Sequence, residues 1–262
     1  MCRLLGYLGS PIQLDYLLYK PEHSLIVQSY KPREMTSGTV NADGYGIGWY
    51  HAQRETDPFV YKNLLPIWND VNLSQLSRYI ETGCAIANIR SATSGQGVDL
   101  SNCQPFHYGR LLFTHNGSIQ NFRKTLYRPI RDSLKDDAYQ AIDGTTDSEH
   151  IFALLIDIWE ASPDITLEKA LYKTLMSVTE LAKSDRLSFS ANIIISDGRR
   201  LIATRYAQNT SVPSLYWLRD DPNYPNAAIV ASEPLFEGNW TSCPENSMII
   251  VGEDLDVSIH QI

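Results

Sequence analysis

The chain has 262 residues, of which 43% are hydrophobic and 20% are charged, and its net charge is -8. This composition is typical of a folded globular protein and excludes wholesale disorder. The acidic balance argues against binding to nucleic acid or to an anionic membrane, and no apolar stretch reaches the roughly 18 residues that span a bilayer. We therefore expect neither nucleic acid nor a membrane among its partners.

Nine short apolar segments predict β-strands, several of them bounded by turn-forming residues. Asp197-Gly198 separates two of these segments, and this dipeptide is a strong signal for a tight hairpin. Asn116-Gly117 is a common turn dipeptide as well, so the segment before it is expected to end there. In chain order, the predicted strands cover residues 4–8, 46–50, 84–90, 110–115, 190–196, 200–206, 215–218, 227–231 and 248–251.

Two long amphipathic helices are predicted between the early and the late strands. Thr146-Asp147-Ser148-Glu149 is a capping-box pattern, with Thr146 as the N-cap and Glu149 at the third helical position. A broad apolar face follows this pattern, and a second helical periodicity runs from Leu167 to Ala182. Because helices and strands are grouped and do not alternate, the pattern predicts an α+β protein with antiparallel sheets.

The four cysteines indicate a reducing compartment and not a disulfide scaffold. They are widely spaced, at Cys2, Cys84, Cys103 and Cys243, and none belongs to a Cys-x-x-Cys pair. That spacing argues against a zinc ribbon, and His107 adds no ligand at a standard spacing. The N-terminus also lacks the basic segment and the apolar core of a secretion signal. We expect a cytoplasmic protein without a metal site.

Cys2 stands where a cysteine can supply both a nucleophile and a base. Removal of Met1 by a methionine aminopeptidase leaves a thiol and a free α-amine on one residue. Their ordinary pKa values, about 8.5 and about 7.7–8.0, put a base that titrates near neutrality beside a nucleophile. The alternative is a buried cysteine in an N-terminal strand, and Cys2 alone does not decide between the two.

Five segments within residues 1–149 together resemble one enzyme family. In chain order they read MCRLLG, NADGYGIGWY, IRSAT, THNGSI and TDSE. In this order and at this spacing they resemble the class II glutamine amidotransferases, which are N-terminal-nucleophile hydrolases with a catalytic cysteine. The resemblance implies a four-layer αββα sandwich with two stacked, mainly antiparallel sheets, in a single glutamine amidotransferase domain over residues 1–262. It also assigns the late strands, together with residues 231–235, to the second sheet.

The resemblance implies that Cys2 attacks the γ-carbonyl of a glutamyl group held by two charged residues. Arg90 would bind the α-carboxylate through two parallel hydrogen bonds, and Asp147 would receive the α-ammonium. Backbone groups of Thr93 and Ser94 would line the same pocket. Without the family pattern, Arg90 is interpreted as a surface arginine, and Asp147 as an acid that complements the helix dipole.

Asn116 and Gly117 are the oxyanion hole that the resemblance implies. The side-chain amide of Asn116 and the backbone N–H of Gly117 would donate to the tetrahedral oxyanion, and loss of one such donor lowers rates about 100- to 1,000-fold. The alternative is the plain turn noted above. The segment Asn41–Gly44 is expected to shape the pocket loop without direct chemistry, and His115 is expected to be structural.

Ser91 and Ser94 depart from the synthase-type members of the family, which carry Trp and His at these positions, so the wall of the glutamyl pocket differs. Segments 21–25, 28–35 and 38–44 resemble the EgtC-type amidohydrolases of ergothioneine biosynthesis. Those enzymes remove glutamate from γ-glutamyl-hercynylcysteine sulfoxide, and the resemblance implies the same reaction class here.

Three functions remain open at this point. The first is hydrolysis of γ-glutamyl-hercynylcysteine sulfoxide through a γ-glutamyl thioester, with a small-molecule γ-glutamyl substrate and no cofactor. The second is a stand-alone glutaminase, or a glutaminase subunit that supplies ammonia to a separate synthase, since we expect no acceptor domain within 262 residues. The third is a catalytically silent binding module. The sequence also leaves homo-oligomerisation open.

Overall fold

The computed structural model describes residues 2–35, 38–51, 57–92, 96–184 and 186–262. The strands in these ranges are β1 (Arg3–Gln13), β2 (Tyr45–Trp49), β3 (Phe59–Asn63), β4 (Glu81–Ile89), β5 (Phe106–Tyr108), β6 (Leu111–Ile119), β7 (Phe189–Ser196), β8 (Leu201–Gln208), β9 (Tyr216–Asp221), β10 (Tyr224–Ala231), β11 (Thr241–Ser242), β12 (Ser247–Val251) and β13 (Val257–Gln261). The α-helices are α1 (Asp15–Leu18), α2 (Leu25–Tyr30), α3 (Leu73–Tyr79), α4 (Tyr127–Ser133), α5 (Asp136–Gln140), α6 (Asp147–Glu160) and α7 (Leu167–Ser184). None of the helices in these ranges is both long enough and apolar enough to span a membrane.

The strands form two antiparallel sheets. The first has seven strands in the order β11-β9-β10-β1-β4-β2-β3, and the second has six in the order β13-β12-β8-β7-β6-β5. β1 lies at the centre of the first sheet, where Leu5 pairs with Ala87 of β4 and with Ala231 of β10. In the second sheet, β6 pairs with β7 from Leu112 to Ile119. β1 and β6 are therefore each held in place by hydrogen bonds to a strand on either side.

The two sheets stack face to face, and helices cover both outer faces. Leu4, Ile86, Leu112 and Ile194 belong to the apolar layer between the sheets. A second apolar layer joins the outer face of the second sheet to α6 and α7, and a third joins the first sheet to α1, α2 and α3. This is a four-layer αββα arrangement, which confirms the predicted fold class.

Alternation of side chains along β1 makes this strand part of two apolar layers. Leu4 points into the layer between the sheets, whereas Leu5 and Tyr7 lie beneath the helices of the first sheet. Gly6 allows the sheets to approach closely, because a Cβ there would lie 2.9 Å from Cγ2 of Ile194. Burial of one such leucine side chain contributes about 1.5–3 kcal/mol, so β1 is held firmly on both faces.

The late strands are divided between the two sheets, which corrects the expectation that they all belong to the second. β7, β8, β12 and β13 do lie there, but β9, β10 and β11 extend the first sheet beyond β1. The physical reason is the antiparallel pairing of β10 with β1, in which Gly6 lies opposite Val230. Residues 231–235 therefore emerge beside the start of β1, and Ser232 donates its N–H to the Leu4 carbonyl at 3.0 Å.

Asn116 and Gly117 lie inside β6 and do not form the turn that the dipeptide suggested. The ladder with β7 continues with Asn116 opposite Asn192 and Gly117 opposite Ala191. The patterns also missed β3, β5, β11 and β13, all of which are edge strands, and the helices α1 to α5, none of which exceeds seven residues. Edge strands and helices of one or two turns bury too little surface to impose a long hydrophobic period on the sequence.

Candidate active site

Cys2 immediately precedes β1, at the end of the first sheet where β4 finishes. The pairing of Arg3 with Ile89 brings Cys2 beside the residues that follow β4. The thiol is half-buried, and the backbone N–H of Ser91 points at its Sγ at 3.5 Å. Met1 lies outside the described residues. The thiol is thus held at one end of the sandwich and remains accessible to a small molecule.

Arg90 is buried directly after β4, where two backbone carbonyls hold its guanidinium. Nη1 donates to the Asp43 carbonyl at 3.3 Å, and Nη2 donates to the Gly97 carbonyl at 3.2 Å. Only 3% of the residue is exposed, and within the described ranges no carboxylate forms an ion pair with it. A buried cation whose acceptors are neutral is destabilising unless an anion completes its surroundings. The position therefore suits an anionic ligand, and the surface-arginine interpretation is wrong.

The turn Asn41–Gly44 fixes the backbone of Arg90. The N–H of Arg90 donates to the Gly44 carbonyl at 2.9 Å, and its carbonyl accepts the N–H of Asp43 at 3.1 Å. The Asp43 carboxylate also accepts the N–H of Ala92 at 2.8 Å. Gly44 has a φ of +98°, and a Cβ there would lie 2.7 Å from Sγ of Cys103. Glycine meets both demands of this position, and the turn acts on the Arg90 loop through backbone contacts.

Asn116 carries a buried side-chain donor without a partner. Only 1% of the residue is exposed, and its Nδ2 makes no hydrogen bond within the described structure. Leaving a buried donor unpaired costs about 1–3 kcal/mol, and an acceptor on a bound ligand is one way to satisfy such a donor. Nδ2 of Asn116 is therefore available to an acceptor atom of a ligand.

Gly117 directs its backbone N–H to the side of β6 that faces away from β7. The N–H groups of His115 and Ile119 point to that side, where buried side-chain oxygens accept them. Gly117 lies between them in the same two-residue alternation, so its N–H has the same direction. A Cβ at Gly117 would lie 1.9 Å from the carbonyl oxygen of Ser190, so only glycine fits here.

Helix α6 begins with the predicted N-cap, but the second half of the capping box differs. Oγ1 of Thr146 accepts the N–H of Glu149 at 3.2 Å, as predicted. The Glu149 carboxylate does not return the bond to Thr146; it accepts the N–H groups of Asp143 and Gly144 at 2.9 and 2.8 Å. Burial raises the pKa of Glu149, although these two N–H groups act in the opposite direction. Its side chain thus ties the preceding turn to the helix.

Asp147 and Ser148 attach the first turn of α6 to β6. The Asp147 carboxylate accepts the N–H of Ile119 at 2.9 Å, and the Ser148 hydroxyl lies 2.8 Å from Nδ1 of His115. Nε2 of His115 lies 3.1 Å from the Ser190 carbonyl, which can only accept, so Nε2 carries the proton and Nδ1 accepts from Ser148. Burial lowers the pKa of His115, although the Asp147 carboxylate and the Ser190 bond act against it. The neutral ring is a link between strand and helix.

A short chain of hydrogen bonds joins Arg90 to the start of α6. The Gly97 carbonyl accepts from Arg90 and also from Nδ2 of Asn102, at 3.1 Å. Oδ1 of Asn102 accepts the N–H of Thr145 at 2.9 Å, two residues before Asp147. The two charged residues singled out from the sequence therefore belong to one hydrogen-bonded assembly. Nothing in the sequence marked Gly97, which acts through its backbone carbonyl, or Asn102, whose partners are backbone groups.

Within the described part of the chain, the hydrogen bonds given above connect the segments that carry five of the predicted site residues. They are Cys2, Arg90, Asn116, Gly117 and Asp147. The other two, Thr93 and Ser94, lie outside the described residues.

Glu233 is the centre of a buried charged cluster that the sequence did not reveal. It accepts from Nη1 of Arg3 at 3.1 Å and from Nε2 of His23 at 2.7 Å. The N–H groups of Arg33 and Glu34 donate to the same carboxylate at 2.8 and 3.0 Å. Burial opposes ionisation of Glu233, but these hydrogen bonds and the Arg3 charge lower its pKa overall. The cluster fixes the residue after Cys2 to the loop that follows α2.

The other three cysteines are not candidates for the nucleophile. Cys84, Cys103 and Cys243 are buried and free, and burial raises the pKa values of the Cys84 and Cys243 thiols to about 12. Buried thiols of this kind are poor nucleophiles. Across the described residues, no three His, Cys, Asp or Glu side chains come together as a metal-binding group.

Two stacked antiparallel sheets between helical layers define the N-terminal-nucleophile type of amidohydrolase fold, and Cys2 immediately precedes its central strand β1. The sequence profile of the class II glutamine amidotransferases matches residues 1–257, and the chain belongs to this family. It is accordingly an enzyme, an amidohydrolase.

Two relatives illustrate the range of proteins that the chain resembles. A probable glutamine amidotransferase of Saccharomyces cerevisiae (DUG3) is 32% identical, over 96% of this chain and 82% of the relative. A γ-glutamyl-hercynylcysteine sulfoxide hydrolase of Mycolicibacterium smegmatis is 31% identical, over 96% of each chain.

Solved structures agree with the fold. A class II glutamine amidotransferase domain protein from Silicibacter pomeroyi has a TM-score of 0.71 at 22% identity and covers 99% of both chains. Glutamine phosphoribosylpyrophosphate amidotransferase from Bacillus subtilis has a TM-score of 0.66 at 17% identity, over 99% of this chain and 49% of that one. At these identities the similarity concerns the fold alone.

Proposed function

We propose that the protein hydrolyses a γ-glutamyl amide and releases glutamate, with the Cys2 thiol as nucleophile once Met1 has been removed. One observation carries the proposal. The buried Arg90 guanidinium has only neutral carbonyl acceptors within the described ranges, and the residue after it donates its N–H to the Cys2 thiol. An anion-binding position therefore adjoins a nucleophile, and a γ-glutamyl group carries both a carboxylate and an electrophilic carbonyl.

Arg90 and Asp147 would bind the glutamyl head group between them. The guanidinium would pair with the α-carboxylate through two parallel hydrogen bonds, which fixes orientation as well as charge. The Asp147 carboxylate would accept the α-ammonium. The family pattern adds backbone groups of Thr93 and Ser94 to this proposed pocket, and both residues lie outside the described part of the chain.

Acylation then follows from the chemistry of an N-terminal cysteine. The free α-amine of Cys2 takes the thiol proton, directly or through water, and the thiolate attacks the γ-carbonyl. Nδ2 of Asn116 and the N–H of Gly117 donate to the oxyanion, where charge develops. The α-ammonium gives its proton to the leaving nitrogen, the C–N bond breaks, and a γ-glutamyl thioester remains.

Deacylation uses the same groups in reverse. The α-amine of Cys2, again a free base, takes a proton from water as the water attacks the thioester carbonyl. The C–S bond breaks, the proton returns to the thiolate, and glutamate leaves. The net reaction adds one water to one amide and gives glutamate and a free amine.

We further propose γ-glutamyl-hercynylcysteine sulfoxide as the substrate, which places the reaction in ergothioneine biosynthesis. Support comes from the relatives with that activity in their names, which are 30–31% identical over 96% of this chain. A cytoplasmic location fits a mechanism that depends on a reduced thiol. Hydrolysis of glutamine itself is the second candidate, supported by the yeast relative at 32% identity.

A substrate panel tests the proposal. Purified protein would be incubated with γ-glutamyl-hercynylcysteine sulfoxide, with a γ-glutamyl anilide and with glutamine, and glutamate and ammonia would be measured. We expect glutamate from the first at the highest kcat/KM; fast ammonia release from glutamine alone would favour the glutaminase instead. Cys2→Ala should abolish turnover, whereas Cys243→Ala, a buried and free cysteine, should retain it.

The role of the α-amine has its own test. Intact-mass spectrometry of the active protein should show that Met1 is missing. Full activity in a sample that retains Met1, or turnover by Cys2→Ala, would overturn the mechanism.

A further inference from the structure

Two buried amide side chains, two residues apart, each bridge parts of the site that are distant in sequence. Asn102 and Gln104 are each only 4% exposed. Both use one amide group as donor and acceptor to backbone atoms, and each does so next to a different group of site residues. Each amide therefore joins backbone segments that are distant in sequence.

Asn102 links the Arg90 loop to the start of α6. Its Nδ2 donates to the Gly97 carbonyl, which also accepts from Arg90, and its Oδ1 accepts the N–H of Thr145. A Cβ at Gly144 would lie 2.5 Å from Oδ1 of Asn102, so the 144–145 backbone passes directly over the amide. The separation of Arg90 from the first turn of α6 is therefore set by one side chain.

Gln104 performs the equivalent task for β6. β5 begins at Phe106, opposite Phe113, so it provides no backbone partner for His115 on that side of β6. The Gln104 side chain takes that place: its Oε1 accepts the N–H of His115 at 2.5 Å, and its Nε2 donates to the His115 carbonyl at 3.1 Å. The residue fixed in this way immediately precedes Asn116.

The segment Asn102–Gln104 is itself seated against the first sheet. A Cβ at Gly46 would lie 2.3 Å from the Gln104 carbonyl oxygen, and a Cβ at Gly44 would lie 2.7 Å from Sγ of Cys103. The two glycines make room for the segment next to the turn that holds Arg90. The segment thus contacts the first sheet, the second sheet and the approach to α6 at once.

We propose that Asn102 and Gln104 are positioning residues with separate effects: Asn102 sets the spacing of Arg90 and Asp147, and Gln104 sets the position of Asn116. The assignment rests on the proposed function, because it uses the roles given there to these three residues. It predicts that the two amides affect different steps, substrate binding and catalysis. Loss of the Asn102 bridge impairs binding of the glutamyl head, and loss of the Gln104 bridge impairs stabilisation of the oxyanion.

Two near-isosteric variants separate these effects. Asn102→Asp keeps an acceptor for the Thr145 N–H and loses the donor to Gly97; Gln104→Glu keeps an acceptor for the His115 N–H and loses the donor to its carbonyl. For Asn102→Asp we expect the inhibition constant for glutamate, and KM, to rise about tenfold or more while kcat changes less than about threefold. For Gln104→Glu we expect kcat to fall about 10- to 100-fold with an inhibition constant within about threefold of wild type.

Controls address charge and folding. Asn72→Asp and Gln140→Glu make the same chemical changes at exposed positions and should leave both constants unchanged. Asn102→Ala and Gln104→Ala remove each bridge without adding a carboxylate and should act in the same directions, and thermal unfolding of each variant shows whether it is folded.

The outcomes distinguish this proposal from the one on which it rests. Wild-type protein that releases no glutamate from any γ-glutamyl amide would overturn both. An active wild type whose Asn102 and Gln104 variants lose kcat and glutamate affinity together, or lose neither, would overturn the positioning roles and leave the proposed function standing.

Discussion

The backbone N–H of Ile119 donates a 2.9 Å hydrogen bond to the carboxylate of Asp147. The same carboxylate accepts the N–H of Ser148 at 2.9 Å. Strand β6 and helix α6 thus orient the Asp147 carboxylate together, and the residue is buried from solvent. The Ser148 hydroxyl also lies 3.5 Å from this carboxylate. Because a carboxylate has about four acceptor positions, these contacts leave room for a ligand. The helix-terminus and ligand-binding interpretations of Asp147 are therefore compatible.

Asp147→Asn should weaken substrate binding without unfolding the protein. An asparagine retains an oxygen for the Ile119 N–H but loses the acceptor for the Ser148 N–H and the charge that would meet the α-ammonium. A hydrogen bond to a charged group is worth about 1.5–3 kcal/mol, so we expect KM for a γ-glutamyl anilide to rise about 10- to 100-fold. Asp136→Asn, an exposed acid in the first turn of α5, is the matched control. An unchanged KM in Asp147→Asn would refute the ammonium-binding role.

Asn116 and Asn192 are neighbours across β6 and β7 and should respond oppositely to truncation. Nδ2 of Asn116 is unpaired, whereas Nδ2 of Asn192 donates to the carbonyls of Pro213 and Ser214 at 3.1 and 2.9 Å. We expect Asn116→Ala to lower kcat about 100- to 1,000-fold with little loss of stability. Asn192→Ala should lower the free energy of unfolding by about 1–3 kcal/mol with kcat nearly unchanged. Steady-state kinetics and urea unfolding of both variants test this, and equal losses of kcat would contradict it.

Sequence patterns pointed to candidate site residues that would act, in the proposed function, through their own side chains. Cys2, Arg90 and Asp147 each lie in a short contiguous motif, and the structure places them as parts of one hydrogen-bonded region. Asn102 could not be recognised in this way, because its partners are a carbonyl and an N–H that become neighbours only in the folded chain. Glu233 is 230 residues from Arg3 in sequence, and no local period connects them.

The same limit applies to the fold. The capping box and the apolar faces of α6 and α7 are local, so the sequence was sufficient to predict them. The assignment of β9 and β10 to a sheet depends on which strand pairs with β1, and that choice is made by tertiary packing. Asn116-Gly117 illustrates the competition directly: a good turn dipeptide remains extended because β7 pairs with it on one side.

Glu233→Gln should be among the most destabilising single changes in the protein. Removing one partner of a buried ion pair costs about 3–5 kcal/mol, because the Arg3 guanidinium would remain buried without a counter-charge. Glu245→Gln, which removes an exposed carboxylate 3.7 Å from the Arg205 guanidinium, should cost less than about 1 kcal/mol. Urea unfolding at pH 7 measures both, and similar small losses would contradict the importance of the cluster.

The contribution of Glu233 should also depend on pH in a defined direction. Its pKa in the folded protein is lowered, so its stabilising effect is present above the unfolded value of about 4.3 and is lost as the pH falls through the folded pKa. The difference between wild type and Glu233→Gln should therefore shrink below about pH 4. A difference that is constant from pH 7 to pH 3 would contradict this.

His150 should make the protein less stable in mild acid. Arg131 can only donate, so its Nε–H, 2.9 Å away, bonds to an unprotonated Nε2 of His150, and Nδ1–H donates to the Thr146 carbonyl at 2.7 Å. Burial lowers the pKa of His150 to about 4, with a further decrease from the Arg131 charge and an opposing effect of the Thr146 bond. Between about pH 6.5 and pH 4, His150 is therefore protonated in the unfolded chain but not in the folded protein.

Stability is accordingly lost as the pH falls through that window. At pH 5, about 1.5 pH units below the unfolded pKa, the loss from His150 is about 2 kcal/mol relative to pH 7. The glutamine of His150→Gln cannot take up a proton in this range. Its free energy of unfolding should therefore fall less between pH 7 and pH 5 than that of wild type. His115, whose pKa is also lowered, leaves part of the slope in place. His260→Gln, an exposed histidine, should keep the wild-type slope, and an equal slope in His150→Gln would show that this ring is not the group that titrates.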